Sequence, residues 1–153
     1  MSKVFDFNEQ LNVGDVGESD FKKYYQRLGP IKSNDLRIDF ILKNGLMVEL
    51  KTDTYDMAKT PNFFMELYGN EQRKLGGPWR TKQDGVSLFV YYFKKNKTFF
   101  WFNPITLCEL LDTIIKDRGL TTTKIVNSGW VAEGYKIPRV DVESVLMRKD
   151  VFD

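Results

Sequence analysis

The chain has 153 residues, 42% of them apolar and 14% aromatic, with 23 Lys plus Arg against 21 Asp plus Glu for a net charge of +2. That length and apolar content predict one domain, residues 1–153, with a real core. The near-neutral balance excludes bulk attraction to nucleic acid and leaves that role to local basic patches.

Cys108 is the only cysteine and histidine is absent. A disulfide framework, a Cys/His zinc site and every histidine-dependent nucleophile or base are therefore excluded. Acid–base chemistry falls to carboxylates, lysines, tyrosines or metal-bound water. No run approaches the roughly 18 uninterrupted apolar residues of a membrane span, and the amino-terminal MSKVFDFNEQ has no apolar signal segment. The expectation is a cytoplasmic protein with no membrane partner.

The first 14 residues are polar with scattered Val4, Phe5 and Phe7, and read either as a loose arm or as part of an oligomer contact. From about Asp15 to Leu28, Phe21, Tyr24, Tyr25 and Leu28 recur at helical spacing and Gly29-Pro30 stops the run. Leu36 to Leu42 and Leu46 to Lys51 alternate with period two around Lys43-Asn44-Gly45, which predicts a β-hairpin. Asn62 to Tyr68 reads as a third strand, and Leu75 to Gly85 is the longest turn-rich stretch. Val86 to Phe93 and Thr98 to Phe102 flank Lys94-Lys95-Asn96-Lys97 as a second, very apolar hairpin suited to the middle of a sheet.

Asn103 then caps a helix with Pro104 at its first position. Ile105, Cys108, Leu111, Ile114 and Ile115 form its buried face and Gly119 ends it. The tail predicts a strand near Lys124 to Asn127, a loop containing Trp130, and a short helix from about Asp141. The fold class is α/β (α+β), a central mixed sheet of about five strands flanked by helices.

The register of the first hairpin decides which residues share a face, because a slip of one residue moves every side chain to the other side. A two-residue turn at Asn44-Gly45 pairs Leu42 with Met47 and mixes charged and apolar groups on both faces. A three-residue loop with Gly45 in the left-handed region pairs Leu42 with Leu46 instead. That register places Leu36, Ile38, Phe40 and Leu42 beside Leu46, Val48 and Leu50 on one wholly apolar face, and is the better fold. The other face then carries Arg37, Asp39 and Ile41 opposite Lys51, Glu49 and Met47.

Asp39 directly across from Glu49 is a like-charge pair, unfavourable by about 0.2–1 kcal/mol. A divalent cation explains it, since Mg²⁺ takes one or two carboxylates and keeps water positions for a phosphate and a nucleophile. Lys51 shares the face and is placed to orient the attacking water or offset charge on the phosphate. The competing reading is a surface ladder in which Arg37 and Lys51 neutralise Asp39 and Glu49.

Leu36-Arg37-Ile38-Asp39 followed ten residues on by Val48-Glu49-Leu50-Lys51 resembles the PD-(D/E)XK nuclease superfamily. The segment RIDFILKNGLMVELK is most similar to the active-site hairpin of phage junction-resolving endonucleases. Ile38 stands where the superfamily's proline stands, a substitution common among its members. The resemblance implies a restriction-endonuclease-like core and a metal-dependent endonuclease acting on DNA, with junctions or flaps as expected substrates. Asp39 and Glu49 are then ligands of Mg²⁺, for which Mn²⁺ substitutes, and Lys51 is the catalytic lysine.

Many members add a glutamate from the first helix, and Glu18 is the matching residue. It is either a metal ligand facing the sheet with Phe21 and Tyr25 or a first-turn glutamate stabilised by the helix dipole. Glu66 is either an active-site auxiliary or an edge-strand charge. Trp79 either stacks on nucleic acid or plugs the end of the core.

The basic patches open to DNA are Lys22, Lys23 and Arg27; Arg73, Lys74, Arg80 and Lys82; and Lys94, Lys95 and Lys97, with Arg37 beside the hairpin site. Symmetric cutting of two strands implies a homodimer or higher homo-oligomer, in a host's cytoplasm if the source is a phage. A catalytically silent nuclease-fold module that binds DNA or protein is the alternative function.

Overall fold

The computed structural model describes residues 3–35, 37–69, 74–127 and 130–153, with side chains from Gly14 onward except those of Asn127 and Trp130. A six-stranded mixed sheet takes strands in the order β1 (Ile31–Lys32), β2 (Phe40–Ile41), β3 (Met47–Asp53), β6 (Leu88–Phe93), β7 (Thr98–Phe102) and β10 (Leu146–Val151). A second sheet orders β5 (Lys74–Leu75), β4 (Asn62–Gly69), β9 (Trp130–Pro138) and β8 (Thr123–Asn127). Helix α1 covers Lys3–Tyr24, α2 Gly77–Gln83 and α3 Pro104–Arg118. Among the described residues no helix is long and apolar enough to cross a membrane.

Within the first sheet only β3 and β6 run parallel. Parallel neighbours need a crossover, and this one carries β4, β5 and α2. The crossover therefore roofs one face of β3.

Both faces of this sheet are buried, which is why all six residues of β6, Leu-Phe-Val-Tyr-Tyr-Phe, are inaccessible. On one face Phe40, Leu42, Val48, Val90, Tyr92, Phe99 and Trp101 pack under Phe21 and Tyr25 of α1. On the other, Phe89, Tyr91, Phe93, Phe100 and Phe102 meet Phe63 and Met65 of β4, Leu107 and Leu111 of α3, and Ile137 of β9.

The first hairpin has the three-residue loop. The Leu42 amide donates a hydrogen bond to the Leu46 carbonyl at 2.8 Å, the ladder pairs Ile41 with Met47 and Phe40 with Val48, and Gly45 has φ of 88°. The apolar face follows as expected, except that Leu46, at the loop, is 41% exposed. The second hairpin and the bounds of α3 also match expectation, with the Asn103 side chain accepting from the Ile105 amide at 2.8 Å and Gly119 closing α3 in the left-handed conformation, but Ile105, expected on the buried face, is exposed and Leu107 is buried in that face instead.

Other expectations need correction. Strand β2 has two residues, because the chain leaves the ladder at Asp39; Leu36 lies outside the described residues. The central sheet has six strands, and the predicted third strand, β4, belongs to the other sheet. Leu75 to Gly85 contains α2, Trp130 begins the nine-residue β9, and the expected last helix is a 3-10 turn, Arg139–Val145, leading into β10.

The backbone of the amino-terminal segment is helical, because α1 starts at Lys3. It passes through Gly17, where the helix backbone lies against β3: a Cβ on Gly17 would stand 1.9 Å from Thr52 Oγ1 and 2.9 Å from Thr52 Cβ. Replacing a mid-helix glycine by alanine ordinarily stabilises by about 1 kcal/mol, whereas forcing atoms into a filled contact costs about 1–3 kcal/mol. We expect the second effect to win. Gly17→Ala will lower the midpoint of chemical denaturation, and adding Thr52→Ala will recover part of the loss; a Gly17→Ala protein more stable than the parent would refute this packing.

Candidate active site

Asp39 sits where β2 parts from β3. Its amide donates to the Val48 carbonyl at 3.0 Å, and the Leu50 amide, next along that edge of β3, donates to Asp39 Oδ2 at 2.8 Å. The carboxylate thus substitutes for a missing ladder carbonyl, a charge-assisted bond that fixes its position. The ladder stops at Phe40 and Val48, so Asp39 and Glu49 are not a ladder pair, but their carboxyl groups lie close enough for each to act on the other.

Burial pushes the Glu49 carboxyl far above the usual carboxylate range, and the hydrogen bond and negative charge of Asp39 push it further; Arg80 and Lys32 oppose this only partly. Both effects favour the neutral form of Glu49.

Glu18 and Asp39 are joined through Lys32, whose Nζ lies 3.0 Å from Glu18 Oε1 and 3.5 Å from Asp39 Oδ1. Glu18 is fifteen residues inside α1, which rules out the first-turn helix-dipole reading. The competing reading, a ladder in which Arg37 and Lys51 neutralise Asp39 and Glu49, is not found among the described residues. Arg37 forms a bidentate pair with Asp35 at 2.8 and 3.1 Å, and among the described residues Lys51 makes no ion pair.

On the roofed face, Glu49 and Lys51 line a cleft of about 190 Å³ with Glu66, Arg80, Thr81 and Phe89. Strand β4 supplies Glu66 and α2 supplies Arg80 and Thr81. Glu66 stands against Gly76, where an added Cβ would come within 2.2 Å of its Oε2. Burial raises the Glu66 carboxyl, while the charges of Lys51 and Arg80 pull it down. Thus Glu66 faces the cleft from the second sheet and is not an edge-strand charge. Arg80 is held by Asp84 at 3.3 Å.

The result is a row of carboxyl groups, Glu18, Asp39, Glu49 and Glu66, interleaved with Lys32, Arg80 and Lys51. Among the described residues no three ligand side chains are gathered closely enough to hold an ion as they stand. The donor chemistry nevertheless fits a hard divalent cation: two carboxyls in contact, one protonated through mutual repulsion and burial, with room beside them for water.

The remaining expected contacts are spread out. Lys22 lines an open groove beside α1, and Lys74 and Lys82 are exposed on β5 and α2. Trp79 donates its indole N–H to Asp112 at 3.0 Å and packs 6.0 Å from the Tyr135 ring, so it plugs the core. Arg73 lies outside the described residues. Sequence reasoning missed Lys32, because β1 is two residues long and carries no periodic signal.

The chain matches no family model, no curated protein and no solved structure.

The raised Glu49 carboxyl has a defined consequence for stability. The neutral acid is favoured in the folded state, so stability falls as pH rises from the ordinary glutamate range towards the folded-state value. Glutamine imitates the neutral acid. Glu49→Gln will therefore unfold at a higher temperature than the parent at pH 7, with an advantage that shrinks towards pH 4; equal midpoints across that range would refute the buried protonated pair.

Proposed function

We propose that the protein is a metal-dependent deoxyribonuclease, an endonuclease that hydrolyses DNA phosphodiester bonds. The observation that carries this is the meeting of Asp39 and Glu49 at the fork of β2 and β3, with Lys51 beside Glu49 in a cleft. The same register that buries the apolar face creates the site.

Asp39 and Glu49 would hold Mg²⁺ or Mn²⁺, with Glu18 next to them. When bound, the ion supplies an acidified water and stabilises charge on phosphate oxygens. Lys51 presents an ammonium to the cleft, where it orients the attacking water and donates to a non-bridging oxygen. Arg80, across the cleft, offers further donors for phosphate. In the hydrolysis, water oxygen bonds to phosphorus, one ester P–O bond breaks, and the departing alkoxide takes up a proton. Cutting both strands of a junction or duplex symmetrically calls for two copies of the chain, so a homodimer belongs to the same proposal.

A catalytically silent DNA- or protein-binding module is the second reading, favoured by Lys32: its ammonium already bridges Glu18 and Asp39 and supplies the charge balance a metal would bring. The two readings separate on Lys32→Met. If a metal belongs here, the substitution will strengthen Mn²⁺ binding in calorimetry by about two- to fivefold, the size of an exposed ion pair worth about 0.4–1 kcal/mol. No Mn²⁺ binding by either protein supports the silent module.

The decisive test is cleavage of duplex, flapped and branched DNA with Mg²⁺ or Mn²⁺. At least one substrate will be cut, and Glu49→Ala and Lys51→Ala will each slow cutting by about 10²–10³-fold. Cutting at the parental rate by the double variant would sink the assignment.

A further inference from the structure

Beside α1 lies a second, wider concavity of about 720 Å³, open to solvent and separate from the Glu49 cleft. Lys22 and Lys23 of α1 form one wall and Lys43 of the first hairpin loop forms the other, with Gly29 and Ile31 between them. No acidic residue lines it. Among the described residues none of its three lysines enters an ion pair, whereas Lys32, Arg37, Arg80, Arg118 and Arg148 are all matched to carboxylates. Three exposed lysines without an ion pair therefore line one groove in a chain whose net charge is only +2, Lys23 with its Nζ 5.5 Å from the centre of the Tyr24 ring.

The groove is built on rigid parts. The Lys43 amide donates to the Leu28 carbonyl at 2.9 Å, and the stem of Lys43 lies over Gly29, so close that a Cβ there would come within 2.8 Å of it. It also adjoins the carboxylate row. Lys22 follows Glu18 by one turn of α1, and Ile31 precedes Lys32, the residue that bridges Glu18 and Asp39. A polyanion lying in the groove would run directly to that row.

We infer that this groove holds the phosphate backbone of the DNA substrate on one side of the cleft, through Lys22, Lys23 and Lys43. The inference rests on the nuclease reading for the identity of the polyanion. Lysines grip phosphate as point charges without reading bases, so the groove sets position and supplies affinity but no sequence preference.

The test is binding of labelled duplex DNA by the full chain in metal-free buffer, followed by fluorescence anisotropy over a series of salt concentrations. Each phosphate contact contributes about 0.9 to the slope of log K against log salt. Lys22→Ala/Lys23→Ala/Lys43→Ala is expected to lower that slope by about 2–3, equally on two duplexes of unrelated sequence. The control Lys94→Ala/Lys95→Ala/Lys97→Ala, at the tip of the second hairpin, is expected to leave it unchanged. All six positions are solvent-facing except Lys94, which is half-buried, so circular dichroism verifies both folds.

Unchanged slope and affinity in the groove variant overturn the inference while leaving the nuclease reading intact, as does a loss confined to one duplex sequence. A parent protein that neither binds nor cuts DNA overturns both.

Discussion

The pairing of β2 with β3 decides which side chains share a face, and a three-residue loop closing on Gly45 decides the pairing. Gly45 has φ of 88°, a conformation that costs a side-chain-bearing residue about 1–2 kcal/mol. With Gly45 there, Leu42 meets Leu46 and Phe40 meets Val48. One slip of register would send Val48 and Phe40 out from under Phe21 and Tyr25 and turn Glu49 and Lys51 into the aromatic core. The burial of the core and the placing of the charged row are consequences of one turn.

The charged row survives because each unfavourable contact is answered by a different group. Asp39 gains a backbone donor, the Leu50 amide, as well as Lys32. Glu49, half-buried behind it, is shifted towards its neutral form. Glu66, on the opposite wall, feels Lys51 and Arg80. A single protonated carboxyl costs the fold less than a second buried charge beside Asp39 would. The charges are balanced within the protein, and under the proposed function metal ligation would displace that proton.

Local chemistry was legible in the sequence and long-range pairing was not. The loop at Lys43-Asn44-Gly45, the apolar second hairpin and the Asn103 cap of α3 each depend on a few adjacent residues, and each is found where the pattern puts it. The start of α1 was hidden by Gly14 and Gly17, poor helix formers by propensity, although Gly17 is what lets α1 lie against Thr52. Strand β9 was hidden similarly: Gly134 interrupts its alternation, but a Cβ there would stand 2.5 Å from the Met65 carbonyl of β4. Lys32 illustrates the same limit at the site, since its bridge depends on how β1 and α1 meet. Glycines that weaken an element locally can be the ones that let it pack.

The charge balance acquires a spatial meaning from these contacts. Among the described residues the ion pairs draw on arginines and on Lys32 at the mouth of the site, and none draws on the lysines of the groove beside α1. A phosphate chain approaching this surface would be drawn to the groove and repelled at the adjoining carboxylates unless their charge is offset. Under the proposed function, affinity and admission to the cleft would fall to different residues: the groove lysines would set the first, and metal occupancy of the Asp39 and Glu49 pair would set the second. A near-neutral protein can hold a strongly charged ligand in this way, because the field at 8–10 Å, about one Debye length at physiological salt, is that of the nearest cluster and not of the whole chain.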